Sequence, residues 1–156
     1  MSKSLLCCLA LLFTFSACEK QNIKRAEKSL DGKWLVTKIY SAYGEKMELG
    51  TQTKEEFIEE GDLGTFTFNN ASVNFNYTRL DTLYEDSSDW DLTRQKVNVG
   101  FTKAEQYTLT FDNRSYRCRF GDETKDAEKK ATELTLQFET EASGSYNAVM
   151  FWLVKA

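Results

Sequence analysis

The chain has 156 residues, 41% hydrophobic and 13% aromatic, with a formal net charge of −4. That content suits one folded domain and not a disordered chain, and the acidic balance lacks the Lys/Arg footprint on which nucleic-acid binding leans. No histidine occurs, so the commonest general acid or base and the commonest transition-metal ligand are both missing; no cofactor, metal site or catalytic residue is expected.

Residues 1–17 begin with a basic start at Lys3, continue with an apolar run from Leu5 to Phe15, and end on the small residues Ser16 and Ala17. This is the secretory signal pattern, and the run is shorter than the ~20 apolar residues of a spanning helix. Phe15-Ser16-Ala17-Cys18 resembles a lipobox, which implies a bacterial lipoprotein with lipid attached to Cys18 as the first residue of the mature chain. Loss of residues 1–17 removes Lys3 and no acid, taking the charge from −4 to −5. Cys7 and Cys8 would leave with the signal and Cys18 would carry lipid. Cys118 then stands alone without a disulfide partner, and is expected as a buried small hydrophobe. Glu19-Lys20-Gln21-Asn22 lacks the acidic cluster that resembles surface-export signals in Bacteroidetes. The expected location is the cell envelope, at the outer membrane, with the periplasmic face favoured over the cell surface.

Residues 18–29 form the lipidated cysteine and a polar, charged segment whose apolar residue is Ile23, predicted as a flexible tether; Glu19 to Ser29 could span at most ~40 Å. Residues 30–156 form the folded domain. Lys33 to Tyr40 is the first strand. Ser41 to Asp62 is predicted as a long loop with one short helix: Thr53 and Glu56 fit a capping box, Gly61 a stop, and Phe57 and Ile58 a face turned to the barrel.

Strict alternation follows. Thr65 to Phe68 turns through Asn69-Asn70 into Val73 to Tyr77, with Phe66, Phe68, Val73, Phe75 and Tyr77 inward. Val97, Val99 and Phe101 alternate with polar residues. A break at Lys103-Ala104-Glu105 precedes Tyr107, Leu109 and Phe111; Asp112-Asn113 turns into Tyr116, Cys118 and Phe120; and the charged loop Gly121 to Lys130 leads to Leu134, Leu136 and Phe138. The last strand, Tyr146 to Val154, is apolar on both faces, so its outer side needs cover, for which the first long loop is the candidate. The layout is all-β, about eight antiparallel strands in sequence, and closure into an up-and-down barrel removes exposed edges.

Gly32-Lys33-Trp34 at the head of this meander resembles the Gly-x-Trp start of the lipocalin or calycin superfamily, and more closely the lipocalin-like lipoproteins of Bacteroidetes. The resemblance implies that Trp34 plugs the closed end of the barrel beneath a basic residue near the last strand, a place held here by Lys155.

Trp34, Phe66, Phe68, Phe75, Tyr77, Phe101, Tyr107, Phe111, Tyr116, Phe120 and Phe138 should point inward, lining a pocket or filling the interior, since an eight-stranded barrel has room for its own side chains or one small ligand. Two functions fit: a non-catalytic binder of a small hydrophobic or amphipathic molecule, or a protein-interaction module, such as a hydrolase inhibitor or envelope-complex subunit, built on a filled barrel. The loops Tyr84 to Asp91 and Gly121 to Lys130 would serve the second. Glu85, Asp86, Asp89 and Asp91 lack the glycine and terminal Glu of an EF-hand and read as a solvated loop. Arg117 and Arg119, with Arg114 nearby, form a small basic spot on an outer strand face.

Overall fold

Apolar–polar alternation becomes a closed ring of antiparallel strands in the computed structural model, which describes residues 22–47, 50–100, 102–121, 131–142 and 144–156. The strands are β1 (Gly32–Met47), β2 (Gly50–Phe68), β3 (Ser72–Arg79), β4 (Thr82–Val99), β5 (Thr102–Phe111), β6 (Arg114–Gly121), β7 (Glu133–Ala142) and β8 (Ser145–Lys155). Each pairs with its neighbours in sequence, and β8 pairs with β1 to close the barrel. Strand parity fixes the core: Tyr116 and Cys118 are buried while Arg117 and Arg119 are exposed, and Phe66, Phe68, Val73, Phe75 and Tyr77 all point inward.

The predicted tether differs first. Residues 22–30 form a helix, α1, with Ala26 and Leu30 fully buried. Ile23, Ala26 and Leu30 recur at helical spacing and make one apolar stripe, which a count of charges across the segment hides. Only residues 18–21 of the expected tether, together with the signal segment 1–17, lie outside the described residues.

The predicted loop Ser41 to Asp62 and its helix are likewise replaced. β1 and β2 continue as one long hairpin in which Ala42 faces Glu56 and Gly44 faces Thr53, so the capping-box residues lie on a strand. The short helix of the molecule is α1. Cross-strand ion pairs Lys38–Glu60 and Lys54–Glu45 give the charged residues of this segment ladder partners, a pairing that local helix signals cannot anticipate. Phe57 and Ile58 do not face the barrel and are 39% and 60% exposed. Two glycines permit the bend: a Cβ on Gly64 would lie 2.1 Å from Asn76 O and one on Gly44 2.1 Å from Gln52 O. At Gly64, where φ is +131°, β2 begins to pair with β3.

Two turns move as well. β5 begins at Thr102 and runs through Lys103-Ala104-Glu105, so no break falls there, and the acidic segment Tyr84 to Asp91 is part of β4. β4 changes partner midway: Thr82 to Asp89 pair with β3, and Trp90 to Val99 pair with β5. On the outer face of β8, Trp152 is partly covered from β1, with Lys38 Nζ 5.5 Å from its ring centre.

Candidate functional site

The two ends of the barrel are built differently. At the end where β1 starts and β8 finishes, Trp34 is fully buried and donates from Nε1 to Leu30 O at 2.7 Å. Lys155 Nζ lies 4.8 Å from the Trp34 ring centre and donates to Ser29 O at 2.7 Å and Asp31 O at 2.6 Å. The last carbonyls of a helix have no intrahelical partner and carry partial negative charge. Trp34 and Lys155 satisfy two of those of α1, Leu30 O and Ser29 O, and fasten it across the barrel base. Lys155 therefore occupies the place expected for a basic residue over Trp34.

Above this plug the interior is filled by rings. Phe66 is the hub, with ring centres 5.9 Å from Phe75, 5.5 Å from Tyr77, 6.0 Å from Phe111 and 5.6 Å from Phe151. Phe111 stacks on Tyr116 at 4.3 Å, and Phe68 meets Trp90 edge-on at 5.9 Å.

The opposite end is open. A pocket of about 280 Å³ is lined by Tyr77, Arg79, Tyr84, Arg114, Tyr116, Phe138, Thr140, Asn147, Val149 and Phe151. It lies beside the β4 partner switch, where Thr82 to Asp89 have no β5 residues alongside among the described residues. Its rim is carried by two tight turns, Leu80-Asp81 and Asp112-Asn113, with φ between +49° and +59° at all four residues. Such turns match the twist of a hairpin, but the left-handed region is costly for a leucine. Leu80 N is held by Glu59 Oε1 at 3.0 Å, which ties the arm of β2 to the rim.

Each turn flanks an arginine. Arg79 precedes Leu80; its Nη2 donates to Tyr84 Oη at 3.4 Å, its guanidinium lies 5.1 Å from the Tyr84 ring centre, and its Nε is buried without a partner. Arg114 follows Asn113; it lies 5.7 Å from the Phe138 ring centre and makes a 3.5 Å ion pair with Asp112. Asn147 Oδ1 is buried and unpartnered in the same pocket. Burial pushes the Tyr77 and Tyr116 hydroxyls up from their ordinary range, so both stay neutral, Tyr116 with Arg114 beside it opposing the shift. The mouth thus pairs an apolar floor of Tyr77, Phe138 and Phe151 with two cations and neutral phenols, chemistry that suits an amphipathic molecule with a negative head.

The inward residues named from sequence divide accordingly. Tyr77, Tyr116 and Phe138 line the pocket, whereas Trp34, Phe66, Phe68, Phe75, Tyr107 and Phe111 belong to the packed interior, with Phe120 against its edge. Phe101 and Cys18 lie outside the described residues. Arg114 separates from the outward Arg117 and Arg119 because it shares the parity of Tyr116. Glu85, Asp86, Asp89 and Asp91 are spread along exposed β4, and among the described residues no group of acids and cysteines could hold a metal ion. An outer hollow of about 350 Å³ between β2, β3 and β4 is lined by Thr65, Thr67, Asn74, Asn76, Glu85 and Ser87 among others, none of them a cation. Arg79, Tyr84, Asn147 and Phe151 were not singled out as site residues. The available signal was the position of Arg79 at a strand end, two residues past inward Tyr77.

Among the described residues no helix is long and apolar enough to cross a membrane. Comparison with protein-family models, with curated proteins and with solved structures finds no match for this chain.

Proposed function

We propose that this protein is a lipid-anchored, non-catalytic envelope lipoprotein of lipocalin-like type, tethered through Cys18, that binds a small amphipathic anion in the mouth of its barrel. The observation that carries the reading is the pocket of about 280 Å³ with Arg79 and Arg114 over a floor of Tyr77, Phe138 and Phe151. Ligand pockets run from ~300 Å³ upward, so this one fits a short-chain molecule whose head meets the arginines. Because the plug and the ring-filled interior stop anything deeper, a long lipid would leave its tail in solvent or at the rim.

Decanoate and decanol test the reading, since they share a chain and differ in charge. Titration should perturb intrinsic fluorescence saturably with decanoate and raise Tm, a folded-state ligand adding ~2.7 kcal/mol at a hundredfold excess over Kd; decanol should bind more weakly. Equal binding by both would remove the arginines from the site.

A second reading has its own support. Gly50 to Glu60 of β2 pair with β1 on one edge and have no strand on the other among the described residues, and Phe57 and Ile58 are exposed there. Such an edge can accept a partner strand. No response to any amphipathic anion, with a protein partner captured through this arm, would move the function to protein interaction.

A further inference from the structure

The charges of this acidic chain are not evenly placed. The outward arc of α1 carries Lys24, Arg25 and Lys28, all exposed, and exposed Asp31 and Lys33 follow in sequence at the start of β1. On a helical wheel the three α1 cations fall within ~100°, opposite buried Ala26 and Leu30, while Ser29 and Glu27 sit to either side, buried and partly buried. At the other end the arm of β1 and β2 exposes Glu45, Glu55, Glu56 and Glu60. Cys18 is four residue steps from the first residue of α1, at most ~14 Å of extended chain. A lipid on that cysteine would hold the basic face of α1 within reach of the headgroups, with the acidic arm far from them.

We infer that the outward face of α1, with Lys33, is a docking surface for anionic phospholipid headgroups. It sets the barrel closed end down, so that the Arg79–Arg114 mouth opens away from the bilayer. Charge complementarity picks the occupant, and the short distance to Cys18 keeps the patch within reach of the headgroups, where each basic residue adds about 1 kcal/mol of attraction. Fastening by Trp34 and Lys155 makes α1 a rigid part of the barrel, so contact at the helix orients the whole domain. The inference shares the acylated Cys18 with the proposed function and does not depend on the pocket.

The test uses full-length protein purified from membranes and added to vesicles of phosphatidylcholine alone or mixed with phosphatidylglycerol. Flotation reports attachment. Modification by a water-soluble amine reagent, read residue by residue by mass spectrometry, reports orientation. With phosphatidylglycerol, Lys24, Lys28 and Lys33 should react about fivefold more slowly, the effect of ~1 kcal/mol per basic residue, while Lys54 on the arm is unchanged; high salt should remove the difference. In the Lys24→Gln/Arg25→Gln/Lys28→Gln variant, Lys33 should lose its protection while decanoate binding persists. Equal rates in both vesicles, or Lys54 slowed as much as Lys24, would overturn the inference. Flotation only with phosphatidylglycerol would support the patch and remove the acyl anchor, whereas flotation with both and no change in labelling would keep the anchor and remove the patch.

Discussion

The closed end and the mouth of this barrel are made from similar parts, a large aromatic beside a basic side chain, yet they do opposite work. At the base, Lys155 lies over Trp34 and donates to the helix carbonyl of Ser29 and to that of Asp31 just beyond it, so its charge is consumed by the fold. At the mouth, Arg79 lies over Tyr84 and Arg114 over Phe138, but Arg79 keeps a buried, unpartnered Nε, while Arg114 meets the Tyr116 hydroxyl and makes a 3.5 Å contact with Asp112. The base gives its helix-end carbonyls internal partners, with Ser29 Oγ left buried and unpartnered, while the mouth leaves Arg79 Nε and Asn147 Oδ1 for something else to satisfy. Buried polar atoms without partners are costly, and two of them, on Arg79 and Asn147, line one pocket, which marks the mouth as the place for a ligand.

The largest expected effect breaks the base. Trp34→Ala should cost ~3 to 5 kcal/mol, the range for deleting a buried Trp, measured by urea unfolding, with decanoate affinity of the folded fraction unchanged. A cost near zero would show that α1 and Lys155 close the barrel without the indole. Next, Arg79→Gln and Arg114→Gln should each weaken decanoate about tenfold to a hundredfold by isothermal titration, as charged hydrogen bonds of ~1.5 to 3 kcal/mol are lost, and leave decanol alone. Equal weakening of both ligands would mean that the arginines shape the pocket and do not bind charge.

Alkali should strike the packed interior between the two ends. Burial pushes the Cys118 thiol up from 9.0 and the Tyr77 hydroxyl up from 10.0. In each case the unfolded chain ionises first. The stability they contribute is complete below the unfolded pKa and lost as pH rises toward the folded one, at up to ~1.4 kcal/mol per pH unit for each group. Tm should therefore fall from about pH 9, and Cys118→Ala should delay the onset to about pH 10, where the tyrosines begin. The native thiol should also resist a water-soluble reagent. An unchanged onset in the variant would contradict its burial. The smallest effect sharpens the rim: Leu80→Asn, at φ +49°, should raise stability by ~1 kcal/mol, read as a shift of the urea midpoint, with binding unaltered.

Much of the architecture was legible because period-two alternation is a local signal. Phe66, Phe68, Val73, Phe75 and Tyr77 share one face in sequence and in the barrel, and Cys118 follows Tyr116 inward. The segments misread were those in which a distant partner decides. Residues 54–60 carry helix signals but have β1 beside them, with Glu60 and Glu45 meeting lysines across the ladder. α1 has too few apolar residues to declare itself and becomes a helix against the base that covers Ala26 and Leu30. Arg114 illustrates a missed local signal: its parity places it with Tyr116, although charge alone grouped it with Arg117 and Arg119.

The sequence by itself determined the eight alternating strands, the burial of the thiol and the inward rings, since each follows from the two-residue period of a strand with one wet face. Tertiary structure alone decided which end is sealed and which is open. That depends on α1 finding carbonyl partners in Trp34 and Lys155, and on β4 exchanging β3 for β5 at Asp89–Trp90. Leu30 and Trp34 are neighbours in the chain, but Lys155 reaches Ser29 from the far end of it, and no short window of sequence contains both sides of that contact.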